Sequence, residues 1–149
     1  MPRIAIPTSA EAPPASQPTL EAVNKRLGWM PNLFRLMSIS PNTLAAFTGI
    51  QGSLAKTMDM KTIEAMGMGV SEGSGCQYCL ASHGRCSLCK NSGRHTRQSE
   101  RRRPRNCACS RIFDAEIVAM AGLTAQFLMT NFMNNIAQTE LDFPAGESV

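Results

Sequence analysis

Residues 59–83 read DMKTIEAMGMGVSEGSGCQYCLASH, and this stretch decides the class of fold. Asp59 is an N-cap residue in front of a run whose apolar positions, Ile63, Met66, Gly67 and Val70, recur three or four apart. Gly73-Ser74-Gly75 ends the run, because no helix keeps such a triplet in its interior. Cys76 to His83 then begins a second helix. Upstream, Thr19-Leu20-Glu21-Ala22 opens a short helix that stops near Gly28, and Pro31 reads as a first-turn residue for Asn32 to Met37. Pro41 starts another helix, with Leu44, Phe47, Ile50 and Leu54 along one face. Downstream, Asp114 caps a long helix with Glu116 in its first turn. Its expected apolar face is Ile117, Met120, Ala121, Thr124, Phe127, Leu128 and Phe132. No alternating strand pattern and no internal repeat interrupts this, so the expected class is all-α, with one helical domain over residues 19–149.

The chain of 149 residues is long enough to bury a core. Its 43% hydrophobic and 17% charged residues fit a globular protein, and its ten methionines read as adaptable core filling. No apolar run approaches the roughly 18 residues of a membrane span. Residues 1–18 carry five prolines and too short an apolar stretch for a signal peptide; they read as an extended arm suited to lie over a neighbouring subunit. The expected address is cytoplasmic, where a cysteine pair is more often catalytic or metal-binding than a structural staple. The net charge of +4 is not spread evenly. Residues 85–111 hold nine basic groups against the single acid Glu100, a local net of +8, and the rest of the chain carries −4.

The chemistry concentrates at Cys76-Gln77-Tyr78-Cys79. Two cysteines at this spacing approach one another readily when the first sits at a helix N-terminus, where free N–H groups favour thiolate over thiol. Gly75 supplies the sharp entry such a helix start needs. His83 lies four residues beyond Cys79, on the same helix face and within reach as a base. That spacing favours Cys79 as the attacking thiol and Cys76 as the one that resolves its sulfenic acid into a disulfide. A thiol or dithiol donor must then reduce that bond by exchange. Glu64, beside the apolar stripe of the preceding helix, is a candidate proton acceptor when partly desolvated. Taken alone, each element has a plainer reading: a zinc pair, a core histidine, a surface glutamate.

Together, Glu64-x11-Cys76-x2-Cys79-x3-His83 resembles the active-site signature of the alkylhydroperoxidase/carboxymuconolactone decarboxylase-like family. The resemblance extends to residues 28–34 (GWMPNLF), to Leu54-Ala55-Lys56 with Lys61 to Ala65, and to Asn131-Phe132 with residues 135–144 (NIAQTELDFP). It implies an all-helical bundle assembled as a homo-oligomer. It also implies a hydroperoxide substrate, a thiol electron donor, and no cofactor, metal, nucleic acid or membrane. Cys79 attacks peroxide, Cys76 resolves, and Glu64 and His83 relay protons. Tyr78 stands where well-characterised members carry a histidine.

The resemblance stops at residues 84–111, GRCSLCKNSGRHTRQSERRRPRNCACSR, where the family continues with small and apolar residues and further helices. Arginine, cysteine and serine codons read one base later become mainly alanine, valine, glycine and acidic codons. The segment is therefore expected to be an alanine-rich helical stretch translated out of frame and shortened. A rival reading takes it at face value, with Cys76, Cys79, Cys86, Cys89, Cys107, Cys109 and the two histidines as zinc ligands beside an arginine-rich nucleic-acid surface. Against that, the six-residue gap between the first two pairs is short for a zinc ribbon, and no aromatics interleave with the arginines to stack on bases. A decarboxylase-like or inactive member is the other alternative; decarboxylation of a muconolactone has no need of a dithiol.

Overall fold

A computed structural model describes residues 3–54, 56–90 and 114–143, for residues 85–90 in backbone only. Among these it is all-helical: α1 (Gln17–Leu27), α2 (Asn32–Ser38), α3 (Pro41–Leu54), α4 (Met60–Gly73), α5 (Gln77–Lys90) and α6 (Asp114–Ala137), with no strand. No helix among the described residues is long and apolar enough to cross a membrane. Most of the basic segment at residues 84–111, together with the side chains of Cys86, Cys89, Cys107 and Cys109, lies outside the described residues. The backbone of α5 continues past His83 to Lys90.

The helix boundaries follow local chemistry. Asp59 caps α4, its carboxylate accepting from the N–H groups of Lys61 and Thr62 at 2.9 and 3.1 Å. Gly28, in the left-handed region at φ +75°, closes α1. Pro31 sits one residue earlier than expected: it is the N-cap of α2, with extended backbone, and Asn32 is the first helical residue. In the N-terminal stretch, a 3-10 turn at Pro14–Ser16 leads into α1, so the extended part of the arm is shorter than expected. The arm folds along its own chain, with the Arg3 N–H donating to the Ala137 carbonyl at 2.8 Å and Ala12 buried.

One core cluster joins Leu20 and Val23 of α1, Phe34 and Met37 of α2, and Leu44 and Phe47 of α3, with Met129 and Met133 of α6 against it. Burying each large side chain is worth about 1.5–3 kcal/mol. A second cluster holds α4 to α6 through Ile63, Leu123 and Phe127, with Leu54 and Met66 at its edge. Of the expected face of α3, Leu44 and Phe47 are buried and Leu54 packs against the second cluster, whereas Ile50 is exposed.

The face of α6 needs a larger correction. Of the expected apolar positions, Phe127 is buried and Met120 and Thr124 are half-buried, but Ile117, Ala121, Leu128 and Phe132 are exposed. The buried side is instead Leu123, Gln126, Phe127, Thr130, Asn131, Asn134 and Ala137. Four of those seven are polar, and two of the four, Thr130 and Asn134, act on Cys79.

Candidate functional site

The turn between α4 and α5 is built around Cys76. Ser74 ends α4 and Gly75 takes the left-handed conformation at φ +62°, which a side chain would strain. The Gly75 N–H then donates to the Glu72 carbonyl and the Cys76 N–H to the Ser71 carbonyl, each at 3.1 Å. These two bonds complete a Schellman end for α4. On its other side, the Cys76 carbonyl accepts from the Leu80 N–H at 3.0 Å, and its sulfur accepts from the Cys79 N–H at 3.3 Å. Cys76 thus closes one helix and caps the next.

Both cysteines are buried, at 0% and 4% exposure, and free, with their sulfurs 2.9 Å apart. At that separation the two sulfurs are hydrogen-bonded to one another. The hydrogen bond with Cys79 and the nearby N–H groups pull the Cys76 thiol down to about 7, with burial acting against them. The Cys79 thiol is driven upward, chiefly by the same bond and then by burial. The Asn134 side-chain amide, donating to Cys79 Sγ at 3.3 Å, and the Thr130 hydroxyl work in the opposite sense on Cys79.

Glu64 of α4 and His83 of α5 meet across the helix pair, Nδ1 to Oε2 at 2.7 Å, with both side chains more than four-fifths buried. Gly67, one turn beyond Glu64, leaves the space for the imidazole: a Cβ there would lie 2.5 Å from the ring. Phe127 closes the other side edge-on, with centroids 5.2 Å apart. The structure therefore joins Cys76 to Cys79 and Glu64 to His83. No hydrogen bond between His83 and either sulfur is found among the described residues, so the pairs are neighbours on α5 rather than one chain of bonds.

A cleft of about 380 Å³ opens beside the Glu64–His83 pair, walled by Trp29, Leu33, Phe34 and Phe143, with Arg26 at its edge. Phe143 stacks edge-on against Trp29, at 5.6 Å, and tilts against Tyr78 at 4.9 Å. Tyr78 has a structural task here. Its hydroxyl donates to Asp142 at 3.0 Å and accepts from the Leu33 N–H at 3.3 Å, while Asp142 also accepts from the Asn32 N–H at 2.5 Å. Pro31, the N-cap of α2, has no side-chain acceptor, so Asp142 and Tyr78 together cap that helix from elsewhere in the chain. Burial, reinforced by the Asp142 carboxylate, raises the phenol far above its ordinary value and keeps it neutral.

Asn134, Thr130, Trp29 and Phe143 were not candidates from sequence. The stretches 28–34 and 135–144 carry two of this set, Trp29 and Phe143, as aromatic residues outside any apolar periodicity. Among the described residues, no three histidine, cysteine or acidic side chains are grouped to hold a metal ion. Four of the six cysteines in the zinc reading have side chains outside the described set. No protein-family model matches the chain, and no curated protein matches it.

Proposed function

We propose that this chain is a thiol-dependent peroxidase of the alkylhydroperoxidase-like type, acting on organic hydroperoxides. The observation that carries the reading is the 2.9 Å approach of two buried thiols at a helix start, with a Glu64–His83 pair on the same hairpin. In this mechanism the Cys79 thiolate attacks the distal oxygen of the hydroperoxide, and the alkoxide leaves and takes a proton to become the alcohol. Cys79 is then a sulfenic acid. Attack by the Cys76 sulfur forms the disulfide and releases hydroxide, which is protonated to water. In total, one hydroperoxide and two thiols give one alcohol, one water and one disulfide. Glu64 and His83 supply the protons from the floor of the aromatic cleft, whose walls suit an organic rather than a bare hydrogen peroxide. The exposed apolar line Ile117, Leu128, Phe132 and Ile136 on α6 supports assembly as a homo-oligomer.

The low value of Cys76 favours a second reading in which Cys76 attacks and Cys79 resolves. Single variants separate the two. Under the first assignment, peroxide-treated Cys76→Ser carries a trappable sulfenic acid on Cys79, and Cys79→Ser consumes no peroxide; the opposite pattern exchanges the roles. Full activity in both variants would sink the dithiol mechanism, as would stoichiometric zinc in the purified protein.

A further inference from the structure

The cleft beside Glu64 and His83 does not end at Arg26. A second hollow, of about 420 Å³, adjoins it between α1 and α3, and Arg26 and Gln51 line both. The other walls of this hollow, Pro18, Thr19, Ala22, Val23 and Thr48, carry no charge. Arg26 is exposed and Gln51 half-buried, and neither side chain has a hydrogen-bond or ion-pair partner among the described residues. The guanidinium therefore keeps its N–H donors for a ligand. Glu64 and His83, with side chains 16% and 18% exposed, line the first cleft but not the second hollow. Arg26 and Gln51 thus mark one margin of the cleft, and the acidic pair lies away from it. Trp29, Leu33, Phe34 and Phe143 supply apolar wall, and of these only Phe34 is fully buried. An anion is attracted at the Arg26 margin and repelled by Glu64, while an uncharged apolar body suits the walls.

We infer that this cleft binds an apolar monocarboxylate, with its carboxylate on Arg26 and Gln51 and its uncharged end toward Glu64 and His83. The guanidinium offers a carboxylate two parallel N–H donors, and the Gln51 amide adds a third hydrogen bond. The adjoining hollow keeps water on the outer side of this ion pair, so neither charge is stripped of its hydration. Phe34 apart, every group the ligand touches is at least partly exposed, and binding needs no contact with either sulfur. The site itself stands on the cleft alone. Its use rests on the peroxidase reading: the substrate is then a hydroperoxide of such an acid, with the hydroperoxy group remote from the carboxylate.

Octanoate and octanamide test this, since they share a chain and differ in charge. Trp29 is the single tryptophan of the protein, so its fluorescence reports a ligand in this cleft. In the full-length reduced chain at neutral pH, octanoate is expected to bind about fivefold more tightly than octanamide, the upper worth of an ion pair open to water. Arg26→Gln should bring the two affinities together, and Arg26→Glu should reverse their order. Lys25→Gln, next in the chain but outside the lining, should leave the preference unchanged. Arg26 is exposed, so these variants should keep the circular dichroism of the wild type. Equal affinities in the wild-type chain, or no binding of either compound, overturn the proposal. So does a preference that survives in Arg26→Gln, and one lost equally in Lys25→Gln, which marks a diffuse field rather than a site. None of these titrations contains peroxide. A carboxylate preference in a protein that consumes no hydroperoxide upholds the site and sinks only the peroxidase reading; peroxide consumption without that preference does the reverse.

Discussion

Cys76 and Cys79 differ by their surroundings rather than their chemistry. One sulfur caps a helix and accepts from the Cys79 N–H, while the other lies against α6, where the Asn134 amide donates to it. Thiolate absorbance, taken as the difference between wild type and Cys76→Ser, should rise through a midpoint of about 7. Above that pH the thiolate dominates, and below it the thiol. Cys79→Ala removes the largest downward influence, so the midpoint should move up toward that of an ordinary cysteine; an unmoved midpoint would mean that the helix end alone sets it. Gly67 offers a sharper test of the Glu64–His83 pair. Gly67→Ala drives a Cβ into the imidazole, and displacing a proton-transfer group by about 1 Å costs on the order of a hundredfold in rate. Circular dichroism should show the helices intact. Unimpaired peroxide consumption in that variant would exclude His83 from the chemistry. The four residues of this site were legible in sequence because their spacing on two adjacent helices is a local property. Asn134 was not, since nothing local distinguishes an asparagine that faces a sulfur from one that faces water.

Among the elements, α4 and the start of α5 were readable almost to the residue, as Asp59 and Gly73-Ser74-Gly75 are signals of backbone chemistry that distant neighbours do not override. α6 was misread for a physical reason. Hydrophobic periodicity assumes that the buried face is the apolar one, yet Gln126, Thr130, Asn131 and Asn134 line the inner side of this helix. The caps of α2 were hidden, because they come from Tyr78 and from Asp142, 110 residues away from Asn32. Tyr78→Phe removes the hydroxyl from both the Leu33 N–H and the Asp142 carboxylate. Leaving such groups unpaired costs about 1–3 kcal/mol, so the urea midpoint should fall. Amide exchange should also quicken at Asn32 and Leu33 more than at α4. Uniform acceleration across all helices would show that the tyrosine supports the whole fold rather than this cap.

For the whole molecule, the proposed assembly and the fold make different demands on α6, whose inner side meets the sulfurs while Ile117, Leu128, Phe132 and Ile136 face outward. Phe132→Lys is expected to lower the oligomer mass in sedimentation while leaving the helix content unchanged; a wild-type monomer would remove the need for any partner. The corner at Cys76 has a consequence for how the chain breathes. Its N–H closes α4 and its carbonyl and sulfur open α5, so neither helix end can fray without loosening the other. The sulfur is fully covered, and a neutral alkylating reagent reaches it only when the corner opens. The labelling rate of Cys76 therefore reports the opening equilibrium of the α4–α5 hairpin, and the cysteine pair doubles as a built-in gauge of local unfolding.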